Sequence, residues 1–222
     1  NPKKGINRIY WYFDKVGVRM PNQPKPKMPG REPRGGMVLP GEYKIVLSYN
    51  GEKDSTMIKV EVDHRIEYDM ENLLARQALA DDFVNDVKRA TDAADKTRGA
   101  KAIARQVNGL LKTQKGEEFK ELKEMQKNID KGIKEILDEL SRTKTQGFSG
   151  IDRYKMFYAI QMGYYATMRG IHAPGQAEKL ALSKAKETVD EFVAMVDKFF
   201  EEQWNPYQEK VQESNLNFFS NF

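Results

Sequence analysis

Few side chains in this sequence could converge on a reactive centre. It holds two histidines and no cysteine, so thiol nucleophiles, thiolate metal sites and disulfides are excluded. His64 and His172 stand at a change of pattern and at a helix end, too far apart in sequence to read as a metal pair or as part of a nucleophilic triad. Acidic pairs occur at Asp81-Asp82, Glu117-Glu118 and Glu201-Glu202. Two-carboxylate glycoside chemistry needs carboxyls roughly 5 to 9.5 Å apart across a sugar, whereas neighbours on a helix point about 100° apart, so these pairs read as solvated or capping groups. Gly35-Gly36 is the nearest approach to a phosphate loop, but no helix start follows it, which leaves a flexible turn. The aromatics are more suggestive. Tyr10, Trp11, Tyr12 and Phe13 follow one another in an apolar run, and Tyr43 sits in a second. On a strand, two of those four rings face away from the core, and exposed Tyr or Trp faces stack on sugars. Core or interdomain packing is the simpler use of the same rings. Tyr154, Phe157, Tyr158, Tyr164 and Tyr165 likewise crowd one helix, either as bundle core with a contact to the β region or as a docking surface.

These residues must be positioned by two kinds of element. Residues 6–13 are rich in β-branched and aromatic types and read as a strand. Residues 20–36 hold five prolines and three glycines, a composition that resists both helix and ladder. Pro40-Gly41 leads into a strand over 42–49 with Tyr43, Ile45 and Leu47 on one face. Asn50-Gly51 then signals a tight hairpin into a strand over 56–62. Residues 1–65 therefore read as a small antiparallel β-sandwich or its last strands.

From Asp69 the hydrophobic period changes to that of a helix. One stripe runs through Met70, Leu73, Leu74, Gln77, Ala78, Val84, Val87 and Thr91, and continues through Ile103, Val107, Leu110 and Leu111 past a weak point at Thr97-Arg98-Gly99. After Gly116 a second stripe follows Phe119, Leu122, Met125, Ile129, Ile133, Ile136 and Leu140. A turn over 145–150 precedes a third helix, which Asp152 would cap and which ends near Gly170. Pro174 opens the last helix, with Ala181, Ala185, Thr188, Val189, Phe192, Val196, Phe199, Gln203 and Tyr207 on one face. Four amphipathic helices with short links predict an up-and-down four-helix bundle over 66–222. The end, with Phe218, Phe219 and Phe222, reads either as a segment docked back on the protein or as an exposed contact.

Charge narrows the partners. The formal charge is only +4, from 37 basic and 33 acidic residues, and the signs are interleaved along the helical half. Nucleic acid is therefore not expected. The one basic excess, from Lys3 to Arg34 with Lys25, Lys27 and Arg31, is a solvated loop or an anionic-ligand site. No apolar run reaches the roughly 20 residues of a membrane span, and no export signal opens the sequence. Beginning at Asn1 close to a strand pattern, it reads as a mature product or a piece of something longer.

Three segments in order, Gly5-Ile6-Asn7-Arg8-Ile9-Tyr10-Trp11, then Leu39-Pro40-Gly41-Glu42-Tyr43-Lys44-Ile45-Val46-Leu47, then Val60-Glu61-Val62-Asp63-His64-Arg65, resemble the C-terminal region of bacterial sortilin-like, Asp-box (BNR-repeat) β-propeller proteins, often labelled glycosyl hydrolase-like. The stretch Leu140-Ser141-Arg142-Thr143-Lys144-Thr145-Gln146 and Ala173-Pro174-Gly175-Gln176 resemble that family's helical tail. The resemblance implies an immunoglobulin-like sandwich module, hence an α+β multidomain fold, and export to the periplasm or cell surface of a bacterium. It carries over no catalytic residue, because the propeller blades have no counterpart here, and Trp11, Pro40, Gly41 and Tyr43 match positions that shape the module. The expectation is a non-catalytic accessory region with no cofactor, acting in structural support or protein binding beside an upstream β-propeller of the same polypeptide or another protein. One alternative is a carbohydrate-binding module using an exposed subset of Tyr10, Trp11, Tyr12 and Tyr43. Another is a hydrolase whose site assembles only in the fold.

Overall fold

A computed structural model describes residues 4–26, 33–140, 155–168, 172–214 and 216. The chain is mixed α+β, with two antiparallel ribbons of two strands each: β1 (Asp14–Val16) with β2 (Arg34–Met37), and β3 (Gly41–Tyr49) with β4 (Glu52–Val60). Residues 6–13, expected to form a strand, belong to neither ladder. A β-type sequence becomes a strand only where a partner takes its backbone groups, and β1 and β3 pair with β2 and β4 instead. The described residues thus form two separate ribbons and do not show a sandwich.

The longer ribbon follows its sequence closely. Asn50 and Gly51 both have positive φ, 51° and 87°, and join Tyr49 to its partner Glu52 as a tight hairpin turn requires. The shorter ribbon depends on glycine. A Cβ on Gly17 would lie 2.4 Å from the Arg34 carbonyl oxygen, and one on Gly35 would lie 2.8 Å from the Lys15 carbonyl oxygen. Gly35-Gly36, read as a flexible turn, is therefore part of β2.

Four long helices follow, α1 (Met70–Leu111), α2 (Lys120–Glu139), α3 (Lys155–Met168) and α4 (Gln176–Phe199), the last continued through a π-turn (Phe200–Trp204) into α5 (Asn205–Glu213). The 42 residues of α1 are unbroken across the expected weak point at 97–99, so this helix alone is about 60 Å long. Its buried positions, Phe83, Val87, Ala90, Ala94, Thr97, Ala104, Val107 and Leu111, recur at near-heptad spacing. Much of that seam is alanine, whereas Leu74 and Ile103 of the expected stripe are exposed.

The helix order differs from an up-and-down bundle. Arg76 of α1 donates to the Ala166 carbonyl of α3, while the space at Gly163 is filled by Phe83, so α3 runs antiparallel to α1. On α2, Lys123 donates to the Gln114 carbonyl just after α1 and Asp130 accepts from Asn108 one step back along it, so α2 is antiparallel as well. In α4, Glu178 and Asp190 pair with Arg76 and Arg89, which makes α4 parallel to α1. Leu140, just after α2, and Met156 and Ile160 of α3 line one small cavity. The helices α2 and α3 therefore follow one another along the same flank, and each level of the bundle has three helices. An unbroken α1 is the reason, because its length takes two shorter helices to cover.

Residues 18–23 form a strap over that handover. Met20 and Pro21 line the same cavity as Leu140 and Met156. Thr91 donates its hydroxyl to the Arg19 carbonyl at 2.6 Å, Arg98 donates to the Pro21 carbonyl at 2.5 Å, and Asp95 pairs with Arg19 and with Arg98. Burial raises the Asp95 pKa, but hydrogen bonds from Arg19 and Arg98 outweigh that and hold the carboxyl below its ordinary value.

The π-turn corrects one position of the expected α4 stripe. Pro206 has no N–H to continue the ladder, and Asn205 donates to the Phe200 carbonyl instead. The widened turn buries Trp204 and leaves Gln203 exposed. At the same level Gly132 lets α2 approach α4, since a Cβ there would lie 2.6 Å from the Phe199 ring. The expected turn at 145–150 and the Asp152 cap lie outside the described residues, as does the C-terminal stretch apart from Leu216, which is buried. No helix among the described residues is long and apolar enough to cross a membrane.

Candidate functional site

The four aromatics singled out by sequence fall into two pairs. Tyr10 and Tyr12 stack on each other, with ring centroids 6.4 Å apart and planes 25° apart. Trp11 instead meets Phe13 at 5.2 Å and Tyr43 at 5.6 Å, both edge to face. Neighbouring rings thus take different partners: Trp11 meets Tyr43 of the β3–β4 ribbon, while Tyr10 and Tyr12 meet each other. Phe13 has φ of 57°, a left-handed conformation rare for a bulky residue, and there the chain bends into β1.

Hydrogen bonds fix the odd set. The Trp11 indole N–H donates to the Asp14 carbonyl at 3.0 Å, and the Tyr43 hydroxyl donates to the Leu39 carbonyl at 2.6 Å. Both rings are half-buried, as an amphipathic ring with a satisfied polar end should be. Beyond them β3 carries an apolar row, faced on β4 by Ile58 and then by the polar Thr56, Asp54 and Glu52. Tyr43 lies opposite Ile58, and Ile45 and Leu47 follow toward the turn. Exposure rises along that row, from 38% at Ile45 to 54% at Leu47 and 58% at Tyr49.

The even set is open to solvent, with Tyr10 63% and Tyr12 57% exposed. Cations surround it. The Arg34 guanidinium lies 4.5 Å from the Tyr12 ring centroid, a cation–π contact, and is held from below by Asp14 at 2.5 Å. Arg8 reaches the Tyr10 hydroxyl at 3.5 Å.

The other candidates do not come together. His64 lies between the ribbon and α1 and His172 lies before α4, where its carbonyl accepts from Arg76 at 3.2 Å. Among the described residues no three His, Asp or Glu side chains cluster as a metal ion would require. Asp81 is engaged by Lys15 at 3.1 Å and by Gln77 at 2.9 Å. Glu117 pairs with Lys120 and Glu202 with Lys198. Asp82 borders an open dent between α1 and α4, which Asp86 and Lys186 share.

Sequence reasoning missed a buried polar network at the far end of the bundle. The Tyr207 hydroxyl donates to the Gln126 side-chain carbonyl, Gln126 donates to Asp130 at 3.1 Å, and burial, with the Asp130 charge behind it, pushes the phenol well above its ordinary range. Gln126 lies on the apolar stripe of α2 between Leu122 and Ile129, and a polar residue in that position was the available signal. Comparison with known proteins finds no matching family model, no matching curated protein and no matching solved structure.

Proposed function

We propose that this chain is a non-catalytic accessory region that docks through the β3–β4 ribbon onto another module, with the helical bundle as its rigid support. The observation that carries this reading is the exposed apolar row Ile45, Leu47 and Tyr49. A two-stranded hairpin on its own is marginal in water, and large apolar side chains exposed in a row gain free energy when covered. The resemblance to the tail of sortilin-like, Asp-box proteins supports an upstream β-propeller as that module, and an exported, periplasmic or cell-surface setting. On this reading the ribbons are part of an immunoglobulin-like sandwich that the adjoining module completes.

Hydrogen exchange tests this. The amides of residues 41–60 should exchange quickly in the 222-residue chain and slowly in the native polypeptide recovered from its source cells. Equal exchange in the two would overturn the proposal. The isolated chain should also hydrolyse neither glycosides nor peptides.

A second reading is favoured by one specific observation. Tyr10 and Tyr12 form an exposed stacked pair, which supports carbohydrate binding there. It uses two of the four aromatics; Trp11 and Tyr43 serve as packing.

A further inference from the structure

We infer that the Tyr10–Tyr12 face takes an acidic polysaccharide, with uronic-acid carboxylates paired to Arg8 and Arg34. This rests on the carbohydrate reading and adds the ligand's charge. The rings offer flat apolar faces for the C–H side of a pyranose. A neutral glycan would need only those. Here both rings carry cations beside them: Arg34 stands over Tyr12, and Arg8 reaches the Tyr10 hydroxyl. Asp14 already balances part of the Arg34 charge. Arg8 differs, because no acidic group among the described residues pairs with it, and the same holds for Lys4 four positions earlier. An uncompensated guanidinium next to an exposed aromatic pair is complementary to a ligand that is both flat-faced and anionic, and a guanidinium fork matches a carboxylate.

Nucleic acid shares part of that chemistry, since bases also stack on tyrosine. A phosphodiester chain is held by a row of cations along its backbone, and this patch has few.

The test is calorimetric titration of the 222-residue chain with oligogalacturonate, with its uncharged methyl ester, and with an oligothymidylate of equal charge. Oligogalacturonate should bind about tenfold more tightly than the ester. Arg8→Gln should erase that preference and leave ester binding as it was, while Tyr12→Ala should weaken both about tenfold. Trp11→Phe, on the other side of the chain, should change neither. Equal affinity for acid and ester would overturn the inference and leave the carbohydrate reading in place. No binding of either would overturn both. Tighter binding of oligothymidylate, or full affinity in a folded Tyr12→Ala protein, would overturn the assignment of this face to acidic sugar.

Discussion

The helical half and the ribbon half contain apolar side chains in comparable patterns, yet only one of them buries them. Among the described residues, the whole buried hydrophobic core lies from Phe83 to Leu216. The β3–β4 ribbon has a regular apolar row, from Tyr43 to Tyr49, and contributes none. Three helices close around a shared axis, so a stripe on each finds two others. A two-stranded ribbon has two faces and two edges but no second layer, and its apolar row is satisfied only where another element lies over it. The same alternation therefore specifies a core in one half and a contact surface in the other.

The sharpest way to break this comparison is to remove matching apolar groups from each half. Phe192→Ala, in the middle of α4 where the ring is 4% exposed, should cost about 3–5 kcal/mol in a urea melt, because a packed seam cannot collapse around the vacancy. A loss below about 1 kcal/mol would mean that the bundle is loosely packed. Next in size is the strap. Asp95→Asn removes the charge that accepts from Arg19 and Arg98 and should cost about 2 kcal/mol. The carboxyl is held below its ordinary value of 3.8, so its contribution is present above that pH and disappears as pH falls through the folded pKa. Wild type and Asp95→Asn should converge in acid. A constant difference across that range would show that Asp95 acts through packing alone.

A smaller effect is expected at Tyr207→Phe, which leaves the Gln126 carbonyl without its donor in a buried place and should cost about 1 kcal/mol. The phenol is raised above its ordinary value of 10.0 by burial and by Asp130. Its neutral form stabilises the fold below that pH, and the contribution is lost as pH rises through the folded pKa. Wild type should therefore lose stability above pH 10 more steeply than Tyr207→Phe. Parallel curves would mean that the phenol is not held neutral by the fold.

What was legible in the sequence follows the same division. The stripes of α2 and α4 were readable because their buried residues are Leu, Ile, Val and Phe at spacings of three and four. The seam of α1 was legible only in part: Val87, Thr91, Val107 and Leu111 of the expected stripe are buried, but Ala90, Ala94, Ala100 and Ala104 carry little hydrophobic weight individually and become core only through close helix approach. Leu74 and Ile103 were placed on the seam and are exposed. Gln203 was placed on the buried face of α4 because a regular helix would put it there, and the proline that widens the turn shifts burial to Trp204. The hairpin was legible from Asn50-Gly51, since that pair determines a local geometry. A sandwich over residues 1–65 was expected from strand readings at 6–13, 42–49 and 56–62, but the β-type composition of 6–13 does not say which backbone will pair with it. Of the candidate site, the aromatic types were visible and their division was not. That division depends on which side of residues 9–13 meets Tyr43, a long-range contact.

The smallest effect is the one that decides what the ribbon is for. Leu47 is 54% exposed, lies opposite Asp54, and has only a partner strand beneath it. Leu47→Gln in the 222-residue chain should change stability by less than about 0.5 kcal/mol, since the side chain surrenders little burial. In the native polypeptide the same change should cost about 2 kcal/mol or more, because a covering module would leave the amide buried without a partner. Thermal melts of both proteins, with and without the substitution, give the two differences directly. If Leu47→Gln already costs 2 kcal/mol in the 222-residue chain, the ribbon is covered by its own protein and the two halves are alike. If it costs nothing in either, the apolar row is a surface that nothing covers, and docking through the ribbon falls.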